Sequence, residues 1–335
     1  MTETSTDPRV TRFGVMGTGR ITRRLVADLQ SIQAVKVTAI ASRSQDRADW
    51  FASQYGIPAA VKTYHALLER DDVDAIYLSL PPSMHREWCV RAAQAGKHVL
   101  CEKPLALNAG EVVELHRACQ STGVRWLDAT GWPHHARTHR MRELVQNGTT
   151  GTLGHLSVAV SFFRPFQSGE HRLEKSLGGG CLLDLGWYAA GLCRYFVGDV
   201  PRRVFADSIL ENGVPIRTNA MLWFDSDITA SLSCGYDTAT RKWCEIAGSE
   251  ASVICDDFTR PWADRATRFW VHQASGEVQA NEVPDSQECR MIERLIGNEP
   301  LDDFHLQALQ TQAILDALDQ SSVDGVPTSV LLPSF

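Results

Sequence analysis

The first part of the chain alternates short apolar runs with longer segments of helical periodicity. The apolar runs cover residues 13–16, 35–41, 75–80, 98–101 and 124–127, and a shorter run surrounds Ala60. The segments between them that have helical periodicity cover residues 20–31, 46–55, 84–95 and 109–122. Strands that alternate with helices are typical of a parallel sheet with helices on both faces. The pattern therefore predicts an N-terminal α/β domain of the doubly wound, or Rossmann, type.

After about Asp128 the pattern changes, because apolar runs with strand character follow one another with few helices between them. These runs cover residues 156–163, 204–209, 221–224 and 228–234, and helical patterns cover 182–197, 288–296 and 304–319. Such an order predicts an α+β domain with a large open sheet, mixed or antiparallel. A chain of 335 residues is also longer than a single core usually supports. We therefore expect two domains, 1–128 for nucleotide binding and 129–335 for substrate binding and oligomerisation.

Composition excludes several classes of partner. The net charge is -7, with no run of Lys and Arg that could follow a phosphate backbone, so we expect no nucleic-acid partner. No window approaches the ~18 apolar residues of a membrane span, and residues 1–10 form a polar tail without the features of a signal peptide. The nine cysteines are scattered singly, which fits reduced thiols in a cytoplasmic protein. His135 and His139 lack a third ligand nearby, so no metal site is predicted.

A glycine-rich turn joins the first predicted strand to the first predicted helix. In such a turn the backbone can approach a pyrophosphate that rests on the helix N-terminus. Thr22 stands where the third small residue of the usual fingerprint would be, so the turn is informative mainly because it opens the first strand-helix unit. The predicted cofactor-binding residues here are Gly17, Thr18, Gly19, Arg20 and Ile21.

The end of the second strand indicates which dinucleotide is used. An acid there would bind the 2'-hydroxyl of the adenosine ribose, whereas an arginine would accommodate a 2'-phosphate. The chain has Ser42, Arg43 and Ser44, and Asp46 belongs to the next helix. These three residues are therefore predicted to bind NADP, with NAD as the alternative.

Four further motifs occur in a characteristic order. Glu102-Lys103-Pro104 follows a strand, and a lysine at that end of a parallel strand points into the crevice where Rossmann ligands bind. Pro81-Pro82-Ser83-Met84-His85 follows the preceding strand. Arg172 precedes a run that begins with three glycines at 178–180 and continues through Asp184 to Tyr188. With these motifs the chain resembles the glucose-fructose oxidoreductase / inositol dehydrogenase / MocA (Gfo/Idh/MocA) family over nearly its whole length.

The resemblance implies roles for individual residues. Lys103, Tyr188 and Asp184 are the implied catalytic residues, with Tyr188 as the acid-base group and Lys103 lowering its pKa. Asp184 and Tyr188 are four positions apart and would share a helix face. The implied cofactor contacts after the second strand are Leu80, Pro81, Pro82, His85, Glu102 and Lys103, and the implied substrate contacts are His135, Arg172, Asp184 and Tyr188.

Tyrosine at position 188 resembles the branch of glucose-fructose oxidoreductase and dimeric dihydrodiol dehydrogenase, whereas many relatives have histidine there. The chain also departs from the family. Relatives often carry an Arg-Phe-His-Pro-like stretch at the start of the second domain, and this chain reads Pro133-His134-His135-Ala136. Because the arginine is missing, we consider His134, His135, Arg137 and Arg172 as sources of polar contacts.

The implied activity is NAD(P)-dependent hydride transfer between nicotinamide and a hydroxyl or carbonyl carbon of a small-molecule sugar, cyclitol or related polyol or diol. Two alternatives remain at this stage: a redox-cycling hydrolase or lyase with tightly bound NAD, and a non-catalytic nucleotide-binding regulator. The strands of the second domain outnumber the helices available to cover them. We therefore expect a homodimer or homotetramer formed through the C-terminal sheet, with the alternating segments 222–224 and 228–232 supplying apolar residues for the contact face.

Overall fold

The computed structural model describes residues 10–163, 165–166, 169–225, 227–261 and 266–335. Most of the predicted N-terminal tail lies outside these ranges. Within them the chain forms two β-sheets, one built from residues before position 129 and the other from residues after position 152. No helix among the described residues is long and apolar enough to cross a membrane.

The first sheet has six parallel strands in the order β3-β2-β1-β4-β5-β6. Every strand lies beside its neighbour in the same direction, as crossover helices require. The order reverses between β1 and β4, and ligands of doubly wound folds bind at this switch point. The strands are β1 (Thr11–Met16), β2 (Val35–Ala41), β3 (Ala59–Val61), β4 (Ala75–Leu78), β5 (His98–Cys101) and β6 (Trp126–Asp128).

Five helices connect these strands. They are α1 (Arg20–Ser31), α2 (Gln45–Tyr55), α3 (Tyr64–Leu68), α4 (His85–Gln94) and α5 (Ala109–Thr122). Local sequence explains several boundaries, because Ser44, Thr63 and Asn108 accept hydrogen bonds from the first turns of α2, α3 and α5. The short helix α3 was not predicted, since five residues are too few to establish a helical period.

The second sheet has nine strands in the order β14-β13-β12-β11-β7-β10-β9-β8-β15. Only the β7–β10 pair among these described strands is parallel, so the predicted mixed sheet is confirmed. The strands are β7 (Leu153–Ser161), β8 (Arg203–Glu211), β9 (Val214–Trp223), β10 (Thr229–Gly235), β11 (Arg241–Gly248), β12 (Ala251–Cys255), β13 (Arg268–Gln273), β14 (Val278–Glu282) and β15 (Thr328–Ser329).

Four helices accompany this sheet: α6 (Ala136–Gln146), α7 (Trp187–Val197), α8 (Gln287–Ile296) and α9 (Asp302–Asp324). α7 and α9 pack together, with α7 against β7 and β10 and α9 against β8. α9 also packs on α5, and α8 packs on α1. Both C-terminal helices therefore contact helices that cover the first sheet. α6 was not predicted, because its polar and charged side chains give it a weak apolar period.

The expectation for the contact face of the second sheet needs a correction. Leu222, Phe224 and Leu232 are at most 3% exposed and belong to the core between the sheet and its helices. Side chains alternate along a strand, so the opposite face carries their neighbours in sequence. That open face carries Phe205, which is 37% exposed, and a shallow depression that Met221 and Trp243 help to line.

Candidate active site

A cavity of about 840 Å³ lies where the C-terminal ends of the parallel strands meet the second half of the chain. The first half contributes the turns after β1, β2, β4, β5 and β6. The second half contributes segments 169–172, 177–180 and 184–188 together with Tyr236, Thr259, Arg260 and the start of α8. Of the predicted cofactor residues, all but His85 line it: Gly17, Thr18, Gly19, Arg20, Ile21, Ser42, Arg43, Ser44, Leu80, Pro81, Pro82, Glu102 and Lys103.

The turn after β1 packs closely against the turn after β4 and leaves the start of α1 open. Gly17 has φ +100°, and a Cβ there would lie 2.2 Å from the carbonyl oxygen of Ser79. α1 begins with no side-chain cap in the described structure, so its first N–H groups are available to an anion. Thr22, which replaces the expected small residue, is buried and donates to the Ser79 hydroxyl over 3.0 Å. It therefore ties α1 to the turn after β4.

The turn after β2 presents cations and hydroxyls to the cavity. The Ser42 and Thr18 hydroxyl oxygens are 3.3 Å apart, and Ser44 caps α2. Arg47, which sequence reasoning missed, also lines the cavity and donates from Nη2 to the Thr18 carbonyl oxygen over 3.0 Å. It lies in the first turn of α2, three positions after the Ser44 cap, and its closeness in sequence to Arg43 is the signal that could have revealed it.

The Glu102 side chain, next to Lys103 in the motif, is held in a fixed position. The Tyr77 hydroxyl donates to Glu102 Oε1 over 2.8 Å, and burial raises the pKa of the Glu102 carboxyl. His85, predicted to contact the cofactor, is only 1% exposed, and its ring nitrogens lie 2.8 Å from the carbonyl oxygens of Leu80 and Pro104. The structure therefore places His85 outside the cavity, enclosed between the two turns that it joins.

Lys103, Asp184 and Tyr188 meet in the cavity. The Lys103 ammonium lies 2.5 Å from Asp184 Oδ1, 2.9 Å from the Asp184 carbonyl oxygen and 4.7 Å from the centre of the Tyr188 ring. Burial acts to lower the pKa of Lys103, but Asp184 and Tyr188 outweigh it, so the net pKa is raised. Lys103 is therefore a buried cation held charged by its neighbours.

The pKa of Tyr188 differs from the expectation. Burial raises it above 10, and Lys103 lowers it by less than burial raises it. The predicted direction of the lysine's influence is correct, but the predicted net lowering is wrong. The phenol is therefore neutral at physiological pH in this arrangement.

Asp184 is the centre of the polar network. It accepts from Arg172 Nε over 2.7 Å and from the Tyr236 hydroxyl over 3.1 Å, in addition to Lys103. Burial alone would raise its pKa, but Arg172 and Lys103 hold the pKa well below its usual range. Arg172 also contacts Glu170 over 3.0 Å. Sequence reasoning missed Tyr236, which lies 52 positions after Asp184, and Glu170, whose place two positions before Arg172 is the signal that could have revealed it.

The segment that carries Asp184 is a π-helix, Leu182–Gly186, which continues directly into α7. An α-helical turn between Asp184 and Tyr188 was expected. A π-helix has a wider turn and is frequent at functional sites. Both side chains still line the cavity, although they are not related by a regular α-helical turn.

The residues considered near the start of the second domain are structural. His135, predicted to bind substrate, is fully buried and accepts from the backbone N–H of Arg137 as the cap of α6. Arg137 is buried against Asp257, and His134 stacks on Phe304 with the ring centres 4.6 Å apart. None of these three lines the cavity, and His135, predicted to contact substrate, lies at the start of α6 as its cap.

Metal and thiol chemistry were also considered. Within the described ranges, no group of three or more His, Cys, Asp or Glu side chains is arranged to hold a metal ion. All nine cysteines are free thiols, and eight of them are buried.

The fold and cavity define a dinucleotide-binding oxidoreductase, in which a Rossmann turn and a lysine-carboxylate-tyrosine cluster share one cavity. Residues 11–128 match the family described as "Oxidoreductase family, NAD-binding Rossmann fold". Residues 138–254 match its C-terminal domain. The chain belongs to the Gfo/Idh/MocA oxidoreductase family, and the predicted family, fold class and enzyme class are confirmed.

Several relatives are named for reactions on sugars or sugar derivatives. The chain is 35% identical over 243 residues to D-xylose 1-dehydrogenase (NADP(+)) 2 of Haloferax volcanii, which covers 72% of this chain and 74% of that one. It is 37% identical over 247 residues to dTDP-3,4-didehydro-2,6-dideoxy-α-D-glucose 3-reductase of Actinomadura kijaniata, covering 71% and 72%. The solved structure of a 3-ketoreductase from A. kijaniata with NADP and TDP-benzene has a TM-score of 0.88 at 29% identity, covering 93% of this chain and 98% of that one.

Proposed function

We propose that this protein is an NADP-dependent oxidoreductase that transfers a hydride between nicotinamide and a hydroxyl or carbonyl carbon of a sugar, cyclitol or related polyol or diol. The observation that carries the proposal is the Lys103 ammonium, held between Asp184 and the Tyr188 ring in the cavity that the dinucleotide turn also lines. A proton-managing cluster beside a nucleotide turn is what hydride transfer to a carbonyl needs.

Bound nicotinamide supplies the hydride chemistry. Tyr188 is the proton donor to the substrate oxygen during carbonyl reduction, since burial keeps its phenol protonated. Lys103 remains charged and stabilises negative charge that develops on the same oxygen. Asp184 holds the lysine and, through Arg172 and Tyr236, fixes the wall of the cavity on the substrate side.

The cofactor assignment rests on the turns after β1 and β2. Gly17 and the uncapped start of α1 fit a pyrophosphate, and Ser42, Arg43 and Arg47 fit a 2'-phosphate through charged and hydroxyl donors. The Haloferax relative is named for NADP, and the ketoreductase structure contains it. The same ketoreductase has been solved with a lysine or a tyrosine replaced, the residue types of the cluster proposed here.

The substrate assignment rests on the polar character of the cavity. Lys103 and Arg172 are each paired with a carboxylate, and Tyr188 and Tyr236 add hydroxyl groups. Hydroxyl-rich substrates exchange hydrogen bonds with such groups. Both named relatives act on sugars or sugar derivatives.

As expected from the sequence, we further propose that residues 1–128 bind nucleotide. Residues 129–335 would bind substrate and a second copy of the chain. The exposed Phe205 and the depression beside Met221 and Trp243 support a homodimer or homotetramer through the open sheet face. The nine free thiols support a cytoplasmic location. Light scattering at micromolar concentration tests the assembly, and a monomeric mass would contradict it.

The activity is tested by following reduced cofactor absorbance with aldoses, inositols and diols, using both dinucleotides. Lys103→Ala should reduce kcat by at least ~10²-fold on any active substrate, because the charge and an oxygen contact are both lost. Lys36→Ala, at an exposed position on β2, is the matched control and should behave as wild type. Turnover that Lys103→Ala leaves unchanged would refute the proposed cluster, and wild-type inactivity across the panel would refute the substrate class.

A further inference from the structure

Two polar side chains from the second half of the chain line the cavity without a role in the proposed reaction. Gln287 is the first residue of α8, and Arg260 follows β12 by five positions. Both lie on the first half's side of the second sheet: Gln287 approaches Gly131, just after β6, and Arg260 approaches Asp28 of α1. If the 2'-phosphate lies at β2 and the pyrophosphate at β1, the remaining half of the cofactor extends toward β4, β5 and β6.

The Gln287 amide has a fixed orientation and an unused oxygen. Its Nε2 donates to the Thr259 carbonyl oxygen over 3.3 Å and to Glu288 Oε1 over 3.2 Å. Both partners are pure acceptors, so the NH₂ group must face them and the oxygen must be the remaining atom. That oxygen is buried, in a residue only 3% exposed, and has no hydrogen-bond partner among the described residues. A buried acceptor without a donor is costly unless a ligand supplies one.

Gly131 permits the close approach of Gln287. A Cβ at position 131 would lie 2.6 Å from Gln287 Nε2 and 2.9 Å from its Cδ, closer than side chains can pack. The glycine therefore allows the amide to reach the end of β6.

Arg260 is held in place by charge and keeps its donors available. Its Nε lies 2.9 Å from Glu288 Oε1, and its Nη2 lies 3.7 Å from Asp28 Oδ2. Neither nitrogen makes an aligned hydrogen bond within the described part of the chain, although both are buried. A guanidinium has five N–H donors in a planar fork, and this one borders the cavity.

We propose that Gln287 and Arg260 bind the carboxamide of the nicotinamide ring. The Gln287 oxygen accepts from the carboxamide NH₂, and Arg260 donates to the carboxamide carbonyl oxygen. One primary amide thus satisfies an orphaned acceptor and an unused donor together, whereas a phosphate has no N–H donor for the Gln287 oxygen. Fixing the carboxamide fixes which face of the ring meets the substrate. This inference rests on the proposed cofactor.

The test compares three ligands of the purified protein by direct binding: NADP⁺, its 3-acetylpyridine analogue and 2'-phospho-ADP-ribose. The acetyl group keeps the carbonyl oxygen but lacks the NH₂ donor, and the ribose compound lacks the ring. Wild type should bind NADP⁺ about tenfold more tightly than the acetylpyridine analogue, the size of one hydrogen bond to a buried acceptor.

Gln287→Leu should abolish the preference for NADP⁺ over the acetylpyridine analogue and leave the affinity for 2'-phospho-ADP-ribose unchanged. Gln312→Leu is the matched control, since Gln312 is also fully buried with an unpartnered oxygen but lies on α9 outside the cavity. It should change none of the three affinities relative to one another.

Arg260→Met should weaken NADP⁺ and the acetylpyridine analogue by a similar factor of about tenfold and spare 2'-phospho-ADP-ribose. An equal loss for all three ligands would assign Arg260 to the pyrophosphate and overturn its part of the proposal. Wild-type binding of NADP⁺ without discrimination against the acetylpyridine analogue would overturn the Gln287 contact alone. Failure of wild type to bind any of the three ligands would overturn the proposed cofactor, and the inference with it.

Discussion

The pairs Arg137–Asp257 and Arg172–Asp184 differ in what surrounds them. Arg137 and Asp257 are 1% and 4% exposed, and the Nη1 and Nη2 atoms of Arg137 also donate to the carbonyl oxygens of Asp257, Phe258 and Arg268. Arg172 and Asp184 are 29% and 14% exposed and border the cavity. The first pair is enclosed by its own chain, whereas the second faces space that a substrate can enter.

The difference teaches that burial of a charged pair does not by itself mark an active site. Asp184 has three side-chain partners of different chemistry, an ammonium, a guanidinium and a phenol. Arg137 instead joins α6 to the segments that flank β12 and β13. One arrangement can exchange partners with a ligand, and the other can only hold the chain together.

The largest expected effect comes from removing Tyr188, the proposed proton donor beside the Arg172–Asp184 pair. Tyr188→Phe should lower kcat by about 10²- to 10⁴-fold with little change in cofactor affinity, because only the phenolic oxygen is lost. Tyr195→Phe, on the same helix but outside the cavity, is the control. Retention of more than about a tenth of kcat, with an unshifted pH profile, would assign the proton to Lys103 instead.

Breaking the Arg137–Asp257 pair should lower the stability of the protein and leave its turnover unchanged. Arg137→Met leaves the Asp257 carboxylate buried without its cation and should lower the free energy of unfolding by about 3–5 kcal/mol. The midpoint of urea denaturation measures this loss. A drop in kcat of the folded enzyme at unchanged stability would instead place Arg137 in the catalytic machinery and remove the contrast between the two pairs.

Breaking the Arg172–Asp184 pair should reduce turnover more than it reduces stability. Arg172→Met should reduce kcat/KM by about 10- to 100-fold, since Asp184 loses one of its charged hydrogen bonds and the cavity wall loses a donor. The denaturation midpoint should fall less than in Arg137→Met, because water can reach this side of the cavity. If Arg137→Met and Arg172→Met reduce kcat/KM and the denaturation midpoint in the same proportion, the proposed contrast between the two pairs is wrong.

The contribution of the Arg172–Asp184 pair to stability should depend on pH. The folded-state pKa of Asp184 is depressed, so its contribution is present above the unfolded pKa near 4 and declines as pH falls below that value. Asp184→Asn should therefore be less stable than wild type by about 2 kcal/mol at pH 7, with the gap narrowing below pH 4. Denaturant midpoints at several pH values test this, with the exposed Asp71→Asn as control. A gap that does not narrow contradicts the assignment.

The smallest expected effect lies at the end of β2. Arg43→Ala should shift the ratio of kcat/KM for NADP over NAD by about tenfold toward NAD, since one charged contact to the 2'-phosphate is lost. Arg86→Ala, an exposed arginine that contacts Glu114, should leave the ratio unchanged. A parent enzyme that prefers NAD would show that the absence of an acid at this turn does not report the cofactor.

The sequence alone was sufficient where a local pattern decides the structure. The alternation of strands and helices predicted the parallel sheet and both glycine and lysine turns, because each depends on residues within about ten positions of one another. The motifs also named Lys103, Asp184 and Tyr188, which lie together in the cavity. The triplet at Ser42 to Ser44 indicated the cofactor for the same reason.

Only the tertiary structure decided what each polar side chain contacts. His85, His135 and Arg137 differ little in residue type from the cavity residues, but they are buried outside the cavity. Tyr236, Arg260 and Gln287 reach the cavity only because the second sheet and α8 fold against the first half. Periodicity records which face of an element is buried, whereas the partner across a cavity is set by how the two sheets pack, and no local pattern in the chain encodes that contact.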